Sequence, residues 1–391
     1  MSTLAGIRLF GDAIKTTSKS LPNRLPDRTY QTTSPRRNRR GLGTSCHTSL
    51  EQTCIIFVRD GPYGLDVVNA CLPALVGCAD SRIAFFARRD LLGTEGERIE
   101  NLWVLDGARR ILMKQLPSGA WRYPNPRAKE LSPLQDYDQL ETYRRLGQLV
   151  EQFGFDRSHG AIAAAAEFLF KRQTAEGDFR GIYGRQYTPN YSAGIAELLV
   201  KAGYGKDPRI GKAFRWLLSE RQADGGWAIP FRTSNQKFMS RATHNAIRSL
   251  ATLEPDHGKP SSAMITGVVL RAFAAHKDLG KSAEAHEAAE LLPPRFFKRD
   301  TYIDRGAPEY WKRVTFPFWF TDIVSALDSL SLMRPPVRGK EVSAAVSWLR
   351  ETRTRSGLFE LRLLRTGDPA LKYWESLAVC RVLKRYDADF S

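Results

Sequence analysis

Four helix ends in this chain are written in nearly the same letters, and that repetition limits the fold more than any other feature. Each has an aromatic–aliphatic pair, then Gln or Arg, then Gly-x-aromatic four residues later. The clearest copy reads Phe168-Leu169…Gln173…Gly177-Asp178-Phe179. Another is Trp216-Leu217…Arg221…Gly225-Gly226-Trp227, with Gln222 one place late, and a third is Trp348-Leu349…Arg353…Gly357-Leu358-Phe359. A partial copy, Ile111…Gln115…Gly119-Ala120-Trp121, has Arg110 in the aromatic slot. The motif aromatics fall at 121, 179, 227 and 359. The two shorter intervals are the length of a helix pair with its connections, and the last leaves room for diverged copies, with Leu291-Leu292 marking one.

The segments between these ends are amphipathic. Ala161 to Arg172, Ser192 to Lys201, Ile210 to Glu220, Ala242 to Leu253, Ile265 to Ala275, Ser343 to Glu351 and Ser376 to Lys384 are rich in Ala, Leu, Glu and Arg. Their apolar residues recur at three and four, and strand-type alternation is rare, so the fold class is all-α. The motif glycine is expected to end the helix, because it accepts a left-handed cap conformation. The aromatic then folds back over the helix end, and the Gln or Arg side chain caps free backbone groups beside it. Such a motif specifies architecture and carries no chemistry of its own.

This pattern resembles the QW repeat of squalene–hopene cyclases and the related repeat of protein prenyltransferase β-subunits. The resemblance covers roughly residues 100–391. It implies an α/α toroid, with inner and outer rings of antiparallel helices around a central apolar cavity, the motif lying on the outer helices. The known catalytic equipment of those relatives is missing. There is no adjacent Asp pair to form the Asp-x-Asp-Asp acid of the class II cyclases, whose central carboxyl must be strongly acidic. Asp136-Tyr137-Asp138 places its carboxylates on different sides of a helix. Asp-rich Mg²⁺ ligands are absent too, and Cys380 is the one cysteine after position 78, in no zinc-binding pattern. At 391 residues the chain supplies one toroid where the squalene-type cyclases use two domains.

Three regions are expected: residues 1–50 as a disordered basic, Ser/Arg-rich tail, 51–98 as an unassigned segment, and 99–391 as the toroid. The first region has nine Lys or Arg and two acids, including Ser34-Pro35-Arg36-Arg37-Asn38-Arg39-Arg40. It has little to bury, and the same composition suits an organelle transit peptide. Five scattered Cys exclude a disulfide scaffold and suit a reducing, cytoplasmic compartment. No apolar run reaches the ~20 residues of a membrane span. The net charge of +17 favours anionic partners and leaves peripheral membrane contact open. No motif supports sequence-specific nucleic-acid binding.

Counting forward from the motif aromatics brings Tyr137, Tyr191, His244 and Tyr373 to comparable places at the starts of inner helices. The segment Phe316-Pro317-Phe318-Trp319-Phe320-Thr321-Asp322 reads as a further loop entering a helix. Trp319 joins the expected aromatic wall, and Arg185 and Arg232, in acid-free loops, are expected to hold an anionic head such as a prenyl diphosphate. Asp322, following four aromatics, is the candidate general acid, and His244 the candidate base. No metal ligand set is recognised, and the cofactor and oligomeric state stay open. The leading expectation is an isoprenoid-binding protein like the terpenoid cyclases and prenyltransferases. A non-catalytic α/α-toroid that binds a lipid, peptide or protein, and a polysaccharide lyase acting on an acidic glycan, are the alternatives.

Overall fold

A computed structural model describes residues 65–94, 96–128, 134–234, 251–302, 305–364 and 368–387. The expectations for residues 1–50 lie outside them, as does most of the helix expected over Ala242 to Leu253. Its last three residues are described and are not helical.

The compact unit Gly61–Ser391 contains thirteen α-helices among the described residues. They are α1 (Leu65–Val76), α2 (Ser81–Ala87), α3 (Asp106–Leu112), α4 (Tyr137–Phe153), α5 (Gly160–Phe170), α6 (Pro189–Leu199), α7 (Pro208–Ser219), the single turn α8 (Pro230–Thr233), α9 (Ala263–Ala275), α10 (Ala283–Glu290), α11 (Ile323–Leu332), α12 (Lys340–Glu351) and α13 (Leu371–Asp387). Two short parallel strands, β1 (Arg313–Val314) and β2 (Arg362–Leu363), pair Arg313 with Arg362 and Val314 with Leu363.

Burial sorts the helices into two rings. In α12 the buried residues are Val342, Ala345, Val346 and Leu349, one stripe with the other faces exposed. In α9 every residue from Ala263 to Ala274 is buried. The inner helices pack in a closed circuit: α4 on α6, α6 on α9, α9 on α11, α11 on α13, α13 on α2 and α2 on α4. Outside them, α5 packs on α4, α7 on α6, α10 on α9, α12 on α11 and α1 on α13. This is the expected all-α toroid. Residues 65–92, which carry no copy of the motif, complete its circuit.

Inner and outer helices alternate along the chain, so the inner ones share one direction. Their starts meet at one end: the Asp136 amide donates to the Gly181 carbonyl (2.9 Å), and the Thr321 hydroxyl to the Met264 carbonyl (2.6 Å). Their ends meet at the other, where the Arg157 amide donates to Ala202 and the Arg334 amide to Gly280.

The repeated motif builds this arrangement with repeated bonds. Trp121 and Trp227 fold back so that each indole N–H donates to a carbonyl of its own helix, Ile111 (2.7 Å) and Leu217 (2.6 Å). Gln115 donates both to Gly119 and to Ala161 at the start of the next outer helix, and Gln173 likewise to Gly177 and Arg209. Arg221 takes the first of these roles, donating to Gly225 (2.9 Å). The backbone N–H of each motif aromatic donates to a hydroxyl on an inner helix: Trp121 to Thr142, Phe179 to Ser192, Trp227 to Thr266 and Phe359 to Ser376, all at 3.0–3.1 Å.

The motif glycine does something other than cap its helix. The α3, α5 and α12 caps are the right-handed residues Met113, Lys171 and Thr352, and the glycines stand farther along in the turn at positive φ. A Cβ on Gly119 would come within 2.1 Å of the Ala164 carbonyl oxygen in α5, and one on Gly177 within 2.7 Å of Lys212 in α7. On Gly357 it would come within 2.3 Å of Ala70 in α1. Only glycine allows each outer helix to approach the next this closely, and the last approach returns to the first helix.

Candidate functional site

The starts of the inner helices carry most of the residues singled out in the sequence. Tyr137 opens α4, is buried, and stacks obliquely on Tyr123 at 5.1 Å between ring centres. Tyr191 lies in the first turn of α6 and Trp319 precedes α11. Both meet Tyr143 of α4 edge to face, at 6.2 and 5.3 Å. Trp319 also lies on Gly147, where a Cβ would come within 2.4 Å of its ring, with Leu198 of α6 at the same spot. The indole therefore reaches across the ring between α4 and α6. Tyr373 is half-buried under the Lys372 ammonium, 5.0 Å from its ring centre. Arg232 lies beside Phe231, and Arg185 is exposed. His244 lies outside the described residues. The amide of Trp227 is met by Thr266, so the inner helix of that repeat is α9 and begins at Ala263, well beyond position 244.

The basic loops are partly spoken for. Arg180 pairs with Asp178 at 2.9 Å and Glu176 at 3.0 Å. Nearby, Glu220 is pushed up to about 7 by burial and by the charges of Glu254, Asp178 and Glu176.

Asp322 caps α11 by accepting from the Ser325 amide (2.9 Å), while the Ser325 hydroxyl accepts from the Asp322 amide, forming a capping box. The residue is 1% exposed, and its Oδ2 has no hydrogen-bond partner among the described residues. Burial pushes its carboxyl up to about 7, against the opposing Ser325 bonds and the Arg271 charge. Glu375, on α13, was not singled out in the sequence. It is 1% exposed, its Oε1 also lacks a partner among the described residues, and burial together with the Asp322 charge pushes it up to about 9. Both carboxyls are buried, and the Asp322 charge reaches Glu375, so near pH 7 Glu375 keeps its proton.

An ionic chain, buried at Arg271 and Glu197 and reaching solvent at Lys201, continues from this pair. The Arg271 guanidinium of α9 donates to the Phe320 carbonyl beside Asp322 (3.0 Å) and pairs with Glu197 of α6 (3.0 Å). Glu197 pairs with Lys201 at 2.8 Å, and Lys201 with Glu151 at 2.6 Å. Burial opposes charge on Glu197, but Arg271 and Lys201 outweigh it and hold the carboxyl below its ordinary value. Burial drives the Tyr143 phenol well up, so it stays protonated beside this chain.

At the opposite end, where the inner helices terminate, lies a cavity of about 710 Å³. Phe86, Ile99, Val150, Phe155 and Leu332 supply its apolar wall, and charged side chains the rest. Among the described residues, no three His, Cys, Asp or Glu side chains are placed to hold a metal, and no helix is long and apolar enough to cross a membrane.

Residues 128–252 match the family model of the squalene-hopene cyclase C-terminal domain. A probable squalene–hopene cyclase of Sinorhizobium fredii (strain NBRC 101917 / NGR234) is 32% identical over 94 residues. That stretch is 23% of this chain and 14% of the relative, so the cyclase-type match spans about a seventh of the relative's length. Among solved structures, a variant of the type II terpene cyclase MstE from Scytonema, bound to geranylgeranyl dihydroxybenzoate, is 14% identical. The similarity covers 82% of this chain and 98% of that one, with a TM-score of 0.35. Apo MstE is 15% identical over 75% and 98%, with a TM-score of 0.30.

Proposed function

We propose that this protein binds an isoprenoid at the end of the ring where the inner helices begin, and that Asp322 with Glu375 transfers a proton there. The observation that carries the reading is the pair itself. Each carboxyl is buried and each has an oxygen without a partner among the described residues, and Trp319, three residues before Asp322, meets Tyr143, which also meets Tyr191. Tyr137, Tyr373 and Arg232 flank the same end, with Arg232 the candidate for an anionic head such as a diphosphate. Arg185 is exposed and belongs to its rim.

The strength of the acid decides what kind of proton transfer this is. Adding a proton to an isolated alkene requires a carboxyl far stronger than usual, and Asp322 and Glu375 are shifted the other way. Carboxyls that titrate near neutrality suit transfer to or from an oxygen, where donor and acceptor are closely matched. The proposed chemistry is therefore proton exchange at an oxygen of an isoprenoid.

A second reading, the non-catalytic ring, is favoured by the Asp322 capping box and by Trp319 filling the space over Gly147. One experiment separates the two. The full chain is screened by thermal shift against farnesyl diphosphate, geranylgeranyl diphosphate and squalene, and binders are then assayed for product. A ligand at 100 times its Kd stabilises by about 2.7 kcal/mol. The enzyme reading expects a prenyl diphosphate to stabilise the protein, Arg232→Ala to weaken it, and Asp322→Asn to bind it without turnover. Binding without product, unchanged in Asp322→Asn, would leave the non-catalytic ring. No shift with any of the three would sink the isoprenoid reading.

A further inference from the structure

The structure assigns a second binding site, in the cavity where the inner helices end, to a hydrocarbon carrying a single negative charge, with Lys384 holding the head. The volume, about 710 Å³, is that of a small-molecule site, and one wall is apolar. The charges lining it are five basic and four acidic. Three of the acids are engaged: Asp90 by Arg381 (2.5 Å) and Arg89 (2.6 Å), Glu151 by Lys201, and Asp328 by Arg385. The fourth, Asp156, accepts from Ser158.

Lys384 is the exception among the cations. It donates to the carbonyls of Asp90 (2.9 Å) and Leu91 (3.0 Å), and no carboxylate pairs with it among the described residues. Two of its three N–H groups are used, which leaves one donor, and the five cations lining the cavity exceed its four acids by one charge. Helix C-termini favour cations, which accounts for basic residues gathering here. That preference needs no chamber with an apolar wall, however, and it leaves the surplus charge without a counterpart. A monocarboxylate with a hydrocarbon tail supplies both complements, the tail along Phe155, Val150 and Leu332 and the carboxylate at Lys384.

This inference does not depend on the carboxyl pair at the other end of the ring, and Asp322→Asn is expected to leave it unchanged. Isothermal titration of the full chain, with decanoate, decanol and decyl phosphate below their micelle concentrations, tests it. Decanoate should bind at least about tenfold more tightly than decanol, the worth of one charge-assisted contact. Lys384→Gln, which keeps a donor for the two carbonyls, should remove that preference and leave decanol binding unchanged. Leu332→Asp, which puts a charge into the apolar wall, should weaken binding of both. Equal binding of decanoate and decanol would overturn the assignment, as would a preference that survives Lys384→Gln or binding of both that is unchanged in Leu332→Asp. Tighter binding of decyl phosphate than of decanoate would overturn the single-charge head.

Discussion

Asp322 and Glu375 hold protons that water would remove, so both should make stability depend on pH. Each carboxyl is raised in the folded state, to about 7 and about 9, from ordinary values of 3.8 and 4.5. Across that window the native state binds more protons than the unfolded chain, so the stabilisation is complete below about pH 4 and is lost as pH rises through 7 and then 9. Urea midpoints taken from pH 5 to 9 should fall, and Asp322→Asn with Glu375→Gln should flatten the slope. A midpoint that rises over that range would contradict the assignment. Arg271 has the reverse character, since its charge is needed. Arg271→Met should cost about 3–5 kcal/mol in chemical denaturation, because Glu197 is left buried without its principal partner. Gly147→Ala should cost about 1–3 kcal/mol and displace Trp319, seen as a changed tryptophan emission, since the added methyl meets the indole. Asp322 was legible as a candidate because a run of aromatics announced a dry environment. Glu375, Arg271 and Glu197 were not, for a charged residue in a helix looks the same in sequence whether it faces water or the middle of a ring.

Helices are joined to helices here by a small set of recurring bonds. Thr142 and Ser376 each accept from a motif aromatic amide while donating to the carbonyl one turn back, Asp138 at 2.6 Å and Lys372 at 2.7 Å. Ser192 accepts in the same way. Ser192→Ala should leave the Phe179 amide buried and unpaired, at a cost of about 1–3 kcal/mol by urea titration, and Ser192→Thr should recover most of it. If the alanine variant is as stable as the parent, the tie is incidental. At this level the sequence was read well where the motif was present. The helices expected at Ala161, Ser192, Ile210, Ile265, Ser343 and Ser376 all form, each beginning one to five residues earlier than expected and ending within three residues of the expected end. The glycines were understood only in part: their left-handed turn was visible in the sequence, but the neighbouring helix pressed against them was not. After Trp227 the motif amide is tied to α9, which begins at Ala263, and His244 lies outside the described residues.

The ring closes between parts of the chain that are far apart in sequence. Gly357, after α12, lies on Ala70 of α1, while Arg381 and Lys384 of α13 bind the segment that follows α2. Deleting residues 65–92 should therefore open the circuit, and loss of cooperative unfolding followed by circular dichroism would show it. A truncated chain that melts as sharply as the parent would show that closure is dispensable. Closure could not be read from the sequence, because residues 65–92 lack the motif and their periodicity is weak.

That distant seam also sets the order in which the protein can be made. During synthesis α1 and α2 emerge well before α13, yet Cys71, Leu75 and Ile83, all fully buried in the finished ring, lie in helices that both pack on α13. About 300 residues must still be translated before that helix exists, roughly 15–60 s at ordinary elongation rates. Through that interval the first hairpin waits with its apolar face uncovered.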